Sequence, residues 1–171
     1  MPEARDSVLL SDVKRIEAST PFIKEAYDES CLTPEQRRLE NLLQNLTKND
    51  LEFITTKEAS LGKGSYGEVQ LARHKSTGIQ VAVKKIEKAS LSSSKIKETL
   101  IREIRIQKSL NHEYICRLYT SFNDATTIYL ALEYASKGNL FYLIRKEKFL
   151  SEDTAFYFFI QVCSGIYYLH K

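Results

Sequence analysis

Little in these 171 residues points to secretion, membrane insertion or binding to nucleic acid. Cysteine is scarce: Cys31, Cys116 and Cys163 are odd in number and far apart, which suits neither a disulfide framework nor paired zinc-ligand spacing. A reducing compartment follows. Excess charge of one sign is also missing, since 25 Lys+Arg stand against 22 Asp+Glu, a difference of +3 that names no nucleic-acid or membrane partner. Long apolar runs are absent. The stretch from Met1 to Arg15 carries Glu3, Arg5, Asp6, Asp12, Lys14 and Arg15, so neither a signal peptide nor a membrane anchor is expected and the placement is cytoplasmic or nuclear. No internal repeat is visible, and low complexity is confined to the serines between Ser90 and Ser94. What remains is an ordinary globular composition, 43% hydrophobic, long enough for one core-forming domain plus an extension.

The pattern divides the chain into an N-terminal helical extension over 1–50, a sheet-rich unit over 51–135 and a helical segment over 136–171. In the first, Thr33, Pro34 and Gln36 form a capping box with proline at the first helical position, and Leu39, Leu42, Leu43 and Leu46 follow at helical spacing. That stripe docks either on its own domain or on a regulatory partner. From Leu51 the alternation becomes that of strands: Phe53–Leu61, Gly67–His74 and Gln80–Glu87 read as a meander, with later strands at Leu118–Phe122 and Thr127–Leu132. Between them runs a helix from Ser94, its predicted N-cap, to about Ser109. The stretch Lys84–Lys108 holds eight Lys+Arg against three Glu, 8 − 3 = +5, a solvated face or a docking site for an acidic or phosphorylated segment. Glu103 is the anomaly in that helix, because it sits on the face of Ile96, Leu100, Ile104 and Leu110 and there requires a cation. A short helix over Asn139–Lys146 comes next. Ser151 then caps a longer helix whose Ala155, Phe158, Phe159, Val162, Ile166 and Leu169 demand a large apolar partner.

The chemistry-bearing segment is Leu61-Gly62-Lys63-Gly64-Ser65-Tyr66-Gly67-Glu68-Val69. Glycines at this density let a backbone pass close over a polyphosphate and offer it N–H groups, but they also suit any tight hairpin. A dinucleotide-binding loop joins a strand to a helix, whereas Gly67 runs into a strand; a Walker loop needs Lys-Ser/Thr after its last glycine, and Glu68-Val69 stand there. A glycine-rich hairpin between antiparallel strands remains. The next strand ends Val81-Ala82-Val83-Lys84, from which Lys84 can reach phosphates beneath the hairpin, while Glu103 on the following helix can pair with the lysine and hold it extended.

On these residues the sequence resembles the protein kinase family over about Phe53 to Lys171, and the wording Arg102-Glu103-Ile104-Arg105-Ile106-Gln107 and Leu132-Glu133-Tyr134-Ala135 is closest to Aurora-like serine/threonine kinases. The resemblance implies an α+β fold: a kinase small lobe with a five-stranded antiparallel sheet and one packed helix, plus the first helices of a truncated large lobe. It implies ATP and protein substrates as partners and magnesium as the accompanying ion, with no metal ligands assigned in these residues. By the same resemblance Leu61 and Val69 roof the adenine, and Gly62, Lys63, Gly64, Ser65, Tyr66 and Gly67 cover the phosphates. Ala82 makes room for the ring, Lys84 and Glu103 form the catalytic ion pair, Leu132 is the gatekeeper, and the backbone of Glu133 and Ala135 bonds the base.

The same resemblance exposes a departure, since the sequence runs out at Tyr168-Leu169-His170-Lys171 without a His-Arg-Asp or Asp-Phe-Gly motif. These residues alone are therefore expected to bind ATP weakly and transfer nothing. Two alternatives stay open: a pseudokinase-like nucleotide-binding scaffold, and a truncated module acting through its N-terminal helix or basic helix face.

Overall fold

The structure, a computed structural model, describes residues 33–56, 59–64 and 67–171. Cys31, Ser65 and Tyr66 lie outside the described residues. Four α-helices and one six-stranded antiparallel sheet are found among them: α1 (Pro34–Gln44), β1 (Leu51–Phe53), β2 (Ser60–Gly64), β3 (Gly67–His74), β4 (Gln80–Glu87), α2 (Ser94–Ser109), β5 (Leu118–Asn123), β6 (Thr127–Glu133), α3 (Leu140–Glu147) and α4 (Glu152–Leu169). The sheet order is β1-β3-β4-β6-β5, with β2 also pairing β3.

The sequence predicts five strands, and the sixth arises where one predicted strand breaks. Phe53 stands opposite Ala72 and Ser60 opposite Gln70, so residues 54–59 face Leu71 alone. A ladder needs one residue there, and the surplus must leave it. The side-chain amide of Gln70 donates to the Ile54 carbonyl at 2.7 Å, closing β1, and the Ala59 N–H donates to the Thr56 carbonyl at 3.0 Å just before β2. The breaks elsewhere match the turn chemistry. Asp124 accepts the backbone N–H groups of Thr126 at 3.0 Å and Thr127 at 2.9 Å, fixing the β5–β6 hairpin.

Period-two alternation and register assign the two faces. Gln70 lies opposite Val83, Ala72 opposite Val81, and Val83 opposite Ala131. On that face Val81, Val83, Tyr129 and Ala131 are buried together with Leu43, Leu46 and Leu51. Of the predicted leucine stripe, Leu43 and Leu46 pack on the chain's own sheet and Leu42 does so in part, while Leu39 is exposed, each buried leucine contributing on the order of 1.5–3 kcal/mol. The capping box at Thr33 is formed in both directions: Gln36 N–H donates to the Thr33 hydroxyl at 3.2 Å, and the Thr33 N–H donates to the Gln36 side chain at 2.9 Å.

The opposite face is covered by α2, where Ile86, Leu118 and Leu130 pack with Leu91 and Leu100. Its N-cap is Ser93 and not Ser94: the Ser93 hydroxyl accepts the Ile96 N–H at 3.2 Å, placing Ser94 inside the first turn. Asn139 and Ser151 cap α3 and α4. The apolar stripe on α4 stays exposed at Phe159, Val162, Ile166 and Leu169, and the helix meets the α2–β5 connection through Gly165 beside Ile115 and the Tyr168 hydroxyl, which accepts the Asn111 N–H at 3.0 Å. No described helix is long and apolar enough to cross a membrane.

Candidate functional site

The site begins where β2 and β3 meet. Gly62 lies opposite Val69, Lys63 opposite Glu68 and Gly64 opposite Gly67, with a bulge at Leu61 between Ser60 and Gly62. All of β2 is exposed, including Leu61, Gly62, Lys63 and Gly64. Two glycines have clear steric reasons. Gly62 adopts φ 146°, where side chains carry strain. A Cβ on Gly67 would stand 1.7 Å from the Lys85 carbonyl oxygen, so β3 can lie this close to β4 only with hydrogen there. At Gly64 a Cβ would lie 3.5 Å from the Lys84 Cε, which places the hairpin directly over that lysine.

Register then gathers a set of side chains beneath the hairpin. Lys84 stands opposite Val69 on one side and Leu130 on the other, and Ala82 stands opposite Leu71 and Leu132. Val69, Ala82, Lys84 and Leu132 consequently share the α2 face. Ala82 is buried, while Val69 and Leu132 are half-buried. Lys85 projects to the other face, where its ammonium sits 4.3 Å from the centre of the Phe53 ring and donates to the Gln70 side chain.

The Lys84 Nζ lies 3.6 Å from the Glu103 Oε1, with the lysine side chain 16% exposed and the glutamate 44% exposed. The helix delivers this carboxylate because Leu100 and Ile104, three residues before and one after it, anchor α2 on the sheet. Glu103 itself is not buried, although Leu100 on its face is and Ile96, Ile104 and Leu110 are half-buried, so the carboxylate stands at the edge of the packed strip. A pair this wet adds about 0–1 kcal/mol of stability at most, so its consequence is orientation of the lysine. An open hollow of about 500 Å³ lies along the outer side of the helix, lined by Glu103, Ile106, Gln107, Ile115 and Cys116 among others; of the predicted site residues it includes only Glu103.

β6 supplies the remaining edge. Glu133 ends the strand opposite Val81, and its N–H donates to the Arg117 carbonyl at 2.9 Å. The chain then leaves the sheet and turns at Gly138, φ 75°, whose N–H donates to the Ala135 carbonyl at 3.2 Å. Ala135 is exposed. Partial burial, with the Glu133 carboxylate second, pushes the Cys116 thiol up and the Tyr119 hydroxyl up to about 12, so both stay protonated at neutral pH.

Together these groups line a candidate slot along the α2 side of the sheet, with Val69, Ala82 and Leu132 between the exposed Glu133 and Ala135 at one end and a carboxylate-held ammonium under a glycine hairpin at the other. Such a slot can take a flat ring with an anionic tail. The sequence reading missed Arg117 and Glu40, which pair across 77 positions and leave no local pattern to find.

A family model described as the protein kinase domain matches residues 55–171. Among curated proteins, an Aurora kinase of Schizosaccharomyces pombe is 45% identical over 111 residues, 65% of this chain and 31% of that protein. Aurora/IPL1-related protein kinase 2 of Caenorhabditis elegans is 41% identical over 125 residues, 73% of the chain and 40% of that protein. NUAK family SNF1-like kinase 1 of Homo sapiens is 34% identical over 148 residues, 86% of the chain and 22% of that protein. The matched stretch thus spans between 22% and 40% of the length of these relatives.

Proposed function

The chain belongs to the protein kinase domain family, and from that premise we propose that its β2–β3 hairpin, Lys84, Glu103 and the end of β6 form the ATP site of a serine/threonine kinase of Aurora-like type. Transfer of the γ-phosphate to protein hydroxyls is the proposed activity of the whole protein. The observation that carries this reading is the Lys84–Glu103 pair, 3.6 Å apart, lying under Gly64.

In this reading each residue has a physical task. Leu61 and Val69 cover the base from above, Ala82 leaves room for it, and Leu132 closes the back of the slot. The backbone carbonyl of Glu133 and N–H of Ala135 bond its polar edge. Lys84 neutralises charge on the α- and β-phosphates, and Glu103 keeps the ammonium pointed at them. Gly62, Lys63 and Gly64, together with Ser65 and Tyr66, are assigned to cover the phosphates. Bound ATP supplies the activated phosphoryl group. Magnesium is expected in the whole protein, but among the described residues no three His, Cys, Asp or Glu side chains gather to hold an ion. The described residues thus bind and orient the nucleotide, and the 171-residue chain by itself is expected to transfer no phosphate.

The test is titration of the chain with a fluorescent ATP analogue and, by competition, with adenosine. Lys84→Met should weaken ATP by at least about tenfold, since a charge-assisted contact contributes about 1.5–3 kcal/mol. Adenosine affinity should stay unchanged. Lys85→Met, one position along β4 on the other face, is the control, and equal losses in the two variants would remove the assignment.

A further inference from the structure

We propose that Arg117 is a positioning residue for the base-binding edge, and that α1 acts through it to set how firmly that edge is held. The inference rests on the nucleotide reading above, because it assigns the edge formed by Glu133 and Ala135 to the base.

Arg117 makes three connections. Its N–H donates to the Glu133 carboxylate at 3.2 Å, its carbonyl accepts the Glu133 N–H at 2.9 Å, and its guanidinium pairs with the Glu40 carboxylate of α1. The neighbouring Cys116 thiol reaches the Glu133 carbonyl at 3.6 Å. Glu133 is therefore gripped at its amide, its carbonyl and its side chain by two consecutive residues, one of which is fixed by a helix on the far face of the sheet.

Two further observations give this clasp its importance. The β5–β6 ladder is irregular between Leu118 and Thr120, so on its β5 side the end of β6 lacks regular pairing, while on the other side Val81 of β4 stands opposite Glu133. Arg117 and Glu40 are also mostly buried, with side chains 19% and 14% exposed. Neither can swing into water without leaving the other charge stranded in a poorly solvated place. Since α1 is itself seated by Leu43 and Leu46, the path from helix to edge consists of short, packed steps.

The clasp lies at the base end of the slot, away from Lys84, and that position predicts a signature. Loosening it should cost adenosine and ATP the same factor, whereas loss of Lys84 penalises ATP alone.

The test uses Glu40→Gln, Arg117→Met and the double variant in the full chain, followed by hydrogen exchange of individual amides and by nucleotide titration. Glu40→Gln should speed exchange of the Glu133–Ala135 amides about tenfold while β3 and β4 amides keep their rates. Adenosine and ATP affinities should fall together, by about three- to tenfold, and the double variant should be no worse than Arg117→Met, as for groups acting through one contact. Unchanged exchange at Glu133–Ala135 overturns the proposal. So does a uniform rise across β3, β4 and β6, which would mark simple loss of stability. A wild-type chain that binds neither adenosine nor ATP defeats the nucleotide reading, and the exchange pattern then still decides whether α1 holds this edge.

Discussion

On the face of the sheet covered by α1, Leu43 and Leu46 meet Ala72, Val81, Val83, Tyr129 and Ala131, and the margin is tied by Lys48 to Asp124 at 2.6 Å and by Glu40 to Arg117. On the face covered by α2, Leu100 packs on Ile86, Leu118 and Leu130, but the margin beside them is left open at Gly62, Gly64 and Glu103. The same alternation along β4 serves both, sending Val81, Val83 and Lys85 one way and Ala82, Lys84 and Ile86 the other. The contrast shows how one strand divides its labour. Side chains on the first face are committed to holding α1, while the second keeps a glycine hairpin and Glu103 uncovered beside a mostly buried lysine.

The sharpest way to break this contrast is to empty the closed face. Leu43→Ala should cost about 3 kcal/mol, the usual loss for a buried leucine that leaves a cavity, read as a lower urea midpoint with an unchanged slope. A loss below about 0.5 kcal/mol would mean that α1 is an ornament on the sheet and that the two faces are alike in needing no cover.

A smaller loss is expected at the rim of the open face. Gly67→Ala places a methyl group against the Lys85 carbonyl and should cost about 2 kcal/mol by forcing β3 away from β4. Gly64→Ala, where the added carbon meets the Lys84 Cε at 3.5 Å and the Gly67 carbonyl oxygen at 3.6 Å, both ordinary contact distances, should leave the urea midpoint nearly unchanged. Equal destabilisation by the two would erase the distinction between a structural and a ligand-facing glycine.

The smallest effect belongs to the exposed tie between Lys48 and Asp124. The Lys48 ammonium, the Thr126 and Thr127 amides and the Tyr129 hydroxyl hold the Asp124 carboxyl below the usual carboxylate range. A carboxyl held lower in the folded chain than in the unfolded one, where it titrates near 3.9, contributes stability above that pH, and the contribution drains away as pH falls further toward the folded value. Asp124→Asn should therefore lower the neutral plateau slightly and flatten the acid limb of the stability profile below about pH 4 by the same small amount. An unaltered acid limb would show that the tie is decorative.

Much of this was legible from residue order. The capping box at Thr33, the register-setting turn at Asp124 and the bounds of β4 follow from local rules, and the spacing from Gly62 through Lys84 to Glu103 anticipated the ion pair that lies under the hairpin. What escaped was non-local. The break between β1 and β2 depends on how many residues face Leu71, a count available only once β3 is aligned. The exposure of Glu103 depends on how α2 rolls on the sheet, and the N-cap moved from Ser94 to Ser93 because neighbouring serines offer the same hydroxyl. The Glu40–Arg117 pair has no signature short of the fold itself.

The strand order β1-β3-β4-β6-β5 also fixes how the molecule can come apart. β3 with β4 and β5 with β6 are local hairpins, but β4 and β6 are joined by a seam that begins with Glu87 opposite Thr127 and closes the whole stretch containing α2 and β5. Closing a loop of that length carries an entropic toll of roughly 3 kcal/mol before any contact repays it, which makes the seam the late event in assembly and the natural line of tearing. The proposed slot straddles this line, with Ala82 and Lys84 on one bank and Leu132 and Glu133 on the other. A nucleotide gripping both banks would act as a staple, and the mechanical strength of the lobe would then report directly on whether the slot is filled.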